Sequence, residues 1–321
     1  MTTSTPRSHR PRRRGPSRFP VPPSRPAIIA LVAIATLVAS CAAGRSETPL
    51  DAAIAFHERS LRADPGLHAA RTALGEALLE RARVTHDPRD VARARLELER
   101  SLATQESFAA YKAMAALCNF SHRFDEALEW ADLASAAYPE DTGVTAQRVE
   151  SLLAIGQIDA ARAAMDRGST GRPDFWLAAA EARWQSAAGD PDAAAEAFMR
   201  AARLAGQRGL PPLVVWANVG AAAAMIDSGR AADAAPFLDA AASIDPDSPL
   251  LRVHQAEFLA ATGSPADAAA MYDRLLAEYP DPVVHAAAAG LARDMGDNER
   301  GEHHFAAAET GFRRAIDAGE V

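Results

Sequence analysis

Alanine and larger apolar residues recur along most of this chain at helical spacing, in segments that end near a proline. Three such segments share one order of residues: RFDEALEWADLASAAYPED (123–141), RAADAAPFLDAAASIDPDS (230–248) and SPADAAAMYDRLLAEYPDP (264–282). The residues at the turns before the segments are His122, Gly156, Gly189, Gly229, Gly263 and Gly296, at intervals of 34, 33, 40, 34 and 33 residues. The long interval contains an added loop at 204–213. A nearly constant interval of this size predicts an array of helix pairs.

The pattern divides residues 50–316 into one lone helix and about seven pairs. The lone helix covers 50–65, and the pairs follow at about 66–107, 108–141, 142–174, 175–214, 215–248, 249–281 and 282–316. Proline ends a second helix because it lacks an N–H and clashes with the preceding turn. A pair of this length cannot bury its apolar face alone, so stacked pairs share a continuous core. We therefore predict an all-α solenoid of one domain, capped by a more polar last helix.

The residues at fixed places in these units resemble the tetratricopeptide repeat. Gly263, Ala268, Tyr272, Leu275 and Pro280 occupy the second-half positions of that motif, and Gly229, Ala234, Leu238, Ala241 and Pro246 do so one repeat earlier. The Leu-Gly of the first helix is plain only at Leu74-Gly75. The resemblance implies a superhelix of α-α pairs whose first helices line a concave groove that binds a peptide or helix of a partner protein.

The resemblance also places residues in that groove by register. The groove residues are Lys112, Asn119, Phe120, Glu150, Trp176, Arg183, Trp216, Asp227, Glu257 and Arg293. An exposed tryptophan is a frequent binding anchor, so Trp176 and Trp216 are the favoured contacts. Packing between repeats is the alternative role for both rings. The peptide-terminus clamp of some family members needs more than the single lysine of this chain, although Arg183 and Arg293 could replace part of it.

Residues 1–40 have the organisation of a signal peptide. A basic, proline-rich region at 1–26 precedes an uncharged apolar region at 27–40, which is shorter than a comfortable membrane span. The sequence Leu37-Val38-Ala39-Ser40-Cys41 resembles a bacterial lipobox. That resemblance implies cleavage before Cys41 and attachment of diacylglyceryl and acyl chains there, with 41–49 as a lipidated linker and 317–321 as a tail. Several acyl chains anchor a protein stably.

The residue after the cysteine is Ala42 rather than aspartate, which in this family favours an outer-membrane lipoprotein facing the periplasm. Two alternatives remain open from the residues alone. The apolar region could be an uncleaved inner-membrane signal anchor, or an ordinary secretory signal cut near Ala43.

The charge and the motifs limit the chemistry of the mature chain. Residues 41–321 carry 27 basic and 42 acidic side chains, a net charge of −15, which disfavours nucleic acid as a partner. The sequence has no GxGxxG, GxxxxGK[ST], HExxH or GxSxG motif. We interpret His303-His304 as solvated surface and Cys118 as a buried apolar residue. We therefore expect no enzyme activity, metal, cofactor or small-molecule substrate.

Together these observations predict a lipid-anchored periplasmic scaffold that binds protein partners. Assembly of an envelope machine of the pilus or secretion type is the favoured role. Regulation of cell-wall synthesis, outer-membrane assembly, and a signal-anchored regulatory or sensory role are the alternatives.

Overall fold

A computed structural model describes residues 48–85, 87–168 and 174–317, and every regular element among them is helical. The predicted signal peptide 1–40, the lipidation residue Cys41 and residues 318–321 of the tail lie outside the described residues. The α-helices are α1 (Pro49–Ala63), α2 (His68–Thr85), α3 (Pro88–Thr104), α4 (Phe108–Phe120), α5 (Phe124–Ala137), α6 (Thr142–Ala154), α7 (Ile158–Gly168), α8 (Phe175–Ala188), α9 (Pro191–Gln207), α10 (Pro211–Asp227), α11 (Ala235–Ala242), α12 (Pro249–Ala261), α13 (Pro265–Glu278), α14 (Pro282–Asp294) and α15 (Asn298–Asp317). A 3₁₀ turn at Ala231–Ala234 leads into α11.

The helices pack as a lone helix, α1, followed by seven antiparallel pairs from α2–α3 to α14–α15. Each pair contacts the pairs beside it, so the described chain is a continuous solenoid. The predicted all-α fold of about seven helix pairs is confirmed. Among the described residues, no helix is both long and apolar enough to span a bilayer.

The turn between the helices of a pair uses a left-handed backbone at each of the six predicted positions. The φ angles are 54° at His122, 76° at Gly156, 81° at Gly189, 76° at Gly229, 94° at Gly263 and 80° at Gly296. Glycine adopts such angles without a steric penalty, and His122 is the one non-glycine residue with a positive φ in the part of the chain that is described. Gly209, in the loop between α9 and α10, also has a positive φ angle, 68°.

Polar caps and prolines begin many of the helices. Thr48 forms a capping box with Asp51 at the start of α1, and Asp190 caps α9 immediately before Pro191. Proline suits the first helical turn because the missing N–H has no intrahelical acceptor there. The sequence therefore sets both ends of most helices locally.

The core is built largely of alanine, with larger side chains at the contacts between helices. Gly75 of α2 faces Leu98 of α3, and a Cβ atom at Gly75 would lie 2.7 Å from the Leu98 Cγ. Leu98 is completely buried. The Leu74-Gly75 motif thus allows the two helices of the first pair to approach closely.

Cys118 is fully buried, as predicted, and burial raises the pKa of its thiol to about 11.

Ion pairs attach the lone helix α1 to the first pair. The Arg81 guanidinium lies 2.8 Å from Asp51 of α1 and 2.6 Å from Asp90 of α3. Glu58 of α1 also pairs with Arg93 of α3. Because Asp90 is buried, its charge depends on Arg81 for compensation. These ion pairs make α1 part of the described solenoid.

Candidate binding site

The first helices of the pairs are α2, α4, α6, α8, α10, α12 and α14, and the surface that they present is called here the first-helix face. A depression of about 370 Å³ lies between α8, α10 and α12. We call this depression the Trp216 cavity. Its larger lining side chains are Arg183, Phe198, Trp216, Val219, Asp227, Leu250 and His254, with small residues of α10 between them.

Aromatic rings form the floor of the Trp216 cavity. The half-buried Trp216 packs edge-to-face on Phe175, at 6.1 Å between ring centroids, and on Phe198, at 5.6 Å. Phe198 belongs to a second helix, α9, yet it reaches this face beside Gly220 of α10. A Cβ atom at Gly220 would collide with the Phe198 ring, so the glycine makes room for the aromatic floor.

Charged groups lie at the edges of the cavity. Arg183 of α8 is exposed, and its guanidinium is 3.4 Å from Glu150 of α6. Asp227, at the end of α10, is also exposed. The His254 Nδ1 lies 2.6 Å from the Glu257 carboxylate on α12. The cavity therefore has an apolar floor with a cation on one helix and an anion on the next.

Arg183, Trp216 and Asp227, which the sequence placed in the groove, all line this cavity. Trp176 does not line it. Its side chain is 36% exposed on the first turn of α8, in edge-to-face contact with the buried Phe175. The structure thus gives the two tryptophans different surroundings, one at a cavity and one on open surface.

Two other groove residues make polar contacts with the next first helix. The Lys112 ammonium lies 2.9 Å from the Asp141 carboxylate, which also caps α6. The Asn119 amide donates to the Gln147 carbonyl at 3.0 Å, and its oxygen accepts from the Ser151 hydroxyl at 2.6 Å. These side chains join α4 to α6.

The remaining predicted groove residues have neighbours within the solenoid. Phe120 packs against the N-terminal core, with the Arg83 guanidinium 5.5 Å from its ring centroid. Arg293 is exposed, but its guanidinium lies 5.1 Å from the Phe305 ring of α15. Glu150 and Glu257 face the partners named above, Arg183 and His254.

Glu76 of α2 is a charged residue of this face that the sequence prediction missed. It follows the Leu74-Gly75 motif directly, so the register used for the later repeats would have found it. Loss of surrounding water raises the pKa of the Glu76 carboxyl to about 7; nearby Glu80 adds to this effect and Lys112 opposes it.

The prediction that His303 and His304 are both solvated is wrong for His304, which is 6% exposed. Its Nδ1 lies 3.1 Å from the Nδ1 of His285 on α14, a contact between residues far apart in sequence. His303 is exposed. Within the described ranges, no cluster of three or more histidine, cysteine or acidic side chains could hold a metal ion.

Comparison with known sequences places the repeat within the described solenoid. Residues 225–291, from the end of α10 into α14, match the family model of the tetratricopeptide repeat. No curated protein matches the chain.

Solved structures share the fold at low sequence identity. A tetratricopeptide repeat protein from Parabacteroides merdae is 15% identical, with a TM-score of 0.57 over 73% of this chain and 89% of that one. PilW, described as a widely conserved type IV pilus biogenesis factor, is 18% identical, with a TM-score of 0.50 over 67% of this chain and 94% of that one. The human IFIT1 dimer, solved with PPP-AAAA, is 15% identical, with a TM-score of 0.58 over 76% of this chain and 59% of that one. These likenesses concern the fold alone.

Proposed function

We propose that this chain, which shares its fold and the segment 225–291 with tetratricopeptide-repeat proteins, is a lipid-anchored scaffold of the bacterial cell envelope. It binds a peptide or helix of a protein partner on the first-helix face. It performs no reaction of its own. The fold supports the general role in protein interaction, and the cavity and the N-terminal sequence support the more specific parts.

The Trp216 cavity is the observation that carries the proposal. A half-buried tryptophan over an aromatic floor offers apolar area at the base of an open depression. Residues of this kind supply much of the binding energy at protein interfaces when a partner covers them. The charged side chains at the edge then orient the partner.

The anchor follows from the lipobox at Leu37–Cys41. Helix α1 begins at Pro49, eight residues after Cys41. Even a fully extended linker of that length spans at most about 28 Å. A lipid on Cys41 would therefore hold the N-terminal end of the solenoid close to the bilayer, on the periplasmic side of the outer membrane.

Assembly of a pilus- or secretion-type machine is the role we favour within the envelope. The fold shared with PilW, a type IV pilus biogenesis factor, supports this direction. A partner from a cell-wall synthase or from the outer-membrane insertion machinery would instead favour one of the alternative roles.

Site-specific crosslinking in intact membranes tests the binding face. A photoreactive amino acid replaces Ala223, inside the Trp216 cavity, and a matched chain carries it at the exposed Asp166 of α7. We expect a protein crosslinked at 223 but not at 166, and we expect Trp216→Ala to reduce its yield. Mass spectrometry then identifies the machine. Equal crosslinking at both positions would contradict binding on the first-helix face.

The anchor has its own test. Cys41→Ser removes the thiol that accepts the lipid, so we expect an unprocessed precursor and loss of acylated mature protein. Mass spectrometry of the N-terminus measures both species. An acylated terminus at Cys41 in the wild-type chain supports the lipoprotein, whereas an intact 1–40 segment would support the signal anchor.

A further inference from the structure

We propose that the partner inserts one bulky apolar side chain into the Trp216 cavity, and that this anchor is flanked in the partner by an acidic residue that pairs with Arg183 and a basic residue that pairs with Asp227. The inference rests on the proposed function, because it specifies the partner of the same site. It follows from the presence of Arg183, Asp227 and a half-buried tryptophan ring in the lining of one depression.

The floor selects the anchor. Trp216 presents a half-buried ring to the depression, and the almost fully buried Phe198 and Val219, at 5% and 2% exposure, support it from below. The neighbouring α10 residues are small. An aliphatic or aromatic side chain of the partner gains most from such a surface. An aromatic side chain has the largest area to bury, about 150–250 Å² when it is fully covered. A charged side chain placed there would lose its water without a compensating partner.

Arg183 is available to a partner. Its pair with Glu150 is long at 3.4 Å, and both side chains are more than two-fifths exposed. Exposed pairs of this kind add little to the stability of a protein, so a partner carboxylate can replace Glu150 with a small loss.

Asp227 is available as well. It is exposed at the last residue of α10, and it makes no ion pair within the part of the chain that the structure describes. Because α10 rises about 1.5 Å per residue, Asp227 lies about 16 Å along the helix axis from Trp216. An extended peptide covers that span in about five residues. The basic residue of the partner is therefore close to the anchor in sequence.

Selection from a displayed library of random peptides on the full-length protein tests the proposal. We expect the enriched peptides to share one bulky apolar residue together with one acidic and one basic residue close to it in sequence. Trp216→Ala should weaken the selected peptides by about tenfold or more, as for an aromatic anchor at an interface. Arg183→Glu should select a basic residue where the wild type selects an acidic one.

Two matched variants control for charge and folding. Arg162→Glu and Asp166→Lys change exposed residues that pair with each other on α7, away from the cavity, and should leave the selected sequences unchanged. Circular dichroism checks that Trp216→Ala remains helical. If that variant loses its fold, the charge reversal at the exposed Arg183 still decides the question.

The outcomes separate this inference from the proposed function. Peptides whose binding is unaffected by Arg183→Glu and Trp216→Ala would overturn the inference, as would failure to enrich any peptide. If a partner is still crosslinked at position 223, the proposed scaffold role is supported whichever of these two peptide results is found. Loss of that crosslink as well would refute the binding face itself.

Discussion

The imidazoles of His285 and His304 face each other between the two helices of the last pair, with their Nδ1 atoms 3.1 Å apart. At that distance one ring donates a hydrogen bond and the other accepts it, so the contact requires an unprotonated nitrogen. Burial lowers the pKa of both rings. His303 lowers the pKa of both further, and Arg300 acts on His304, whereas Asp281 and Asp273 oppose the shift.

This pair predicts a loss of stability in mild acid. A histidine whose folded pKa is depressed binds fewer protons in the folded state, so its contribution is present above the ordinary value of 6.5 and declines as the pH falls below it. We expect the free energy of unfolding to fall by up to about 1 kcal/mol per histidine near pH 5.5. Urea unfolding at pH 7.5 and 5.5 measures the change.

His304→Gln and His303→Gln separate the buried ring from its exposed neighbour. We expect the first variant to lose most of this acid sensitivity. The second should keep most of it, because burial lowers the two pKa values more than His303 does. Equal pH dependence in the wild type and in His304→Gln would show that the buried contact is not responsible.

Glu76 predicts a pH dependence of the opposite sign. Its pKa of about 7 lies above the ordinary value of 4.5, so the folded state favours the neutral acid. Stability therefore declines as the pH rises from 4.5 through 7. We expect Glu76→Gln to stabilise the protein at pH 8 but not at pH 4.5. The gain should be less than about 1 kcal/mol, because neighbouring residues displace only part of the water around the carboxyl and the exposed remainder of the side chain is screened. Glu129→Gln, at an exposed site on α5, controls for the loss of one charge.

At the scale of residues, the sequence register assigns the predicted groove residues to the first helices but contains no information about which side chains they contact. Arg183, Trp216 and Asp227 meet at one cavity, whereas Lys112 and Asn119 bond to the next helix. The difference depends on distances between neighbouring pairs, which no local pattern contains. The contact of His285 with His304 was missed for the same reason.

At the scale of elements, replacing glycine by alanine should have opposite effects on stability in a turn and within a helix. Gly263 ends a turn at φ of 94°, whereas Gly290 lies within α14, and a Cβ atom at either position would meet no atom within 4 Å. We expect Gly263→Ala to cost about 1 kcal/mol or more, because the left-handed backbone is strained for alanine. Gly290→Ala should stabilise the protein by about 0.5–1 kcal/mol, because alanine favours the helix.

Thermal unfolding of the two single variants and the double variant measures these effects. Since a Cβ atom meets no steric conflict at either position, opposite signs of the two stability changes can arise only from the different backbone conformations. Destabilisation by both substitutions would contradict this explanation.

The elements were predictable because their signals are local. The left-handed turns fall at residues recognised by their spacing, and caps with prolines mark the helix starts. The long repeat was recognised as a loop insertion, but the structure shows that α9 and α10 are themselves long, at 17 residues each. Residues 204–207 of the predicted loop extend α9, and α10 begins at Pro211, so the loop itself is short.

At the scale of the whole molecule, the buried residues form separate clusters along the solenoid. One cluster joins α1 to α4 around Leu98, and the largest joins α8 to α12 around Phe175. Because each pair touches only its neighbours, local stability depends on the nearest cluster. A solenoid of this kind opens in sections, in contrast to a globular domain with one shared core.

This arrangement predicts that two core truncations will act in different regions. Leu98 and Phe175 are both almost fully buried, at 0% and 2% exposure, so each loses its packing when cut back. We expect Leu98→Ala to cost about 2–5 kcal/mol and Phe175→Ala about 3–5 kcal/mol. Hydrogen exchange followed by mass spectrometry should show lost protection in α1–α4 for the first variant and in α8–α12 for the second.

The two variants control for each other, because each reports on the section that the other leaves intact. A uniform loss of protection from α1 to α15 in either variant would mean that the described chain unfolds as one cooperative unit. Regional loss would mean that a partner bound at the Trp216 cavity protects α8–α12 without stabilising the N-terminal pairs. Exchange measured with a selected peptide bound would then locate the site independently of any substitution.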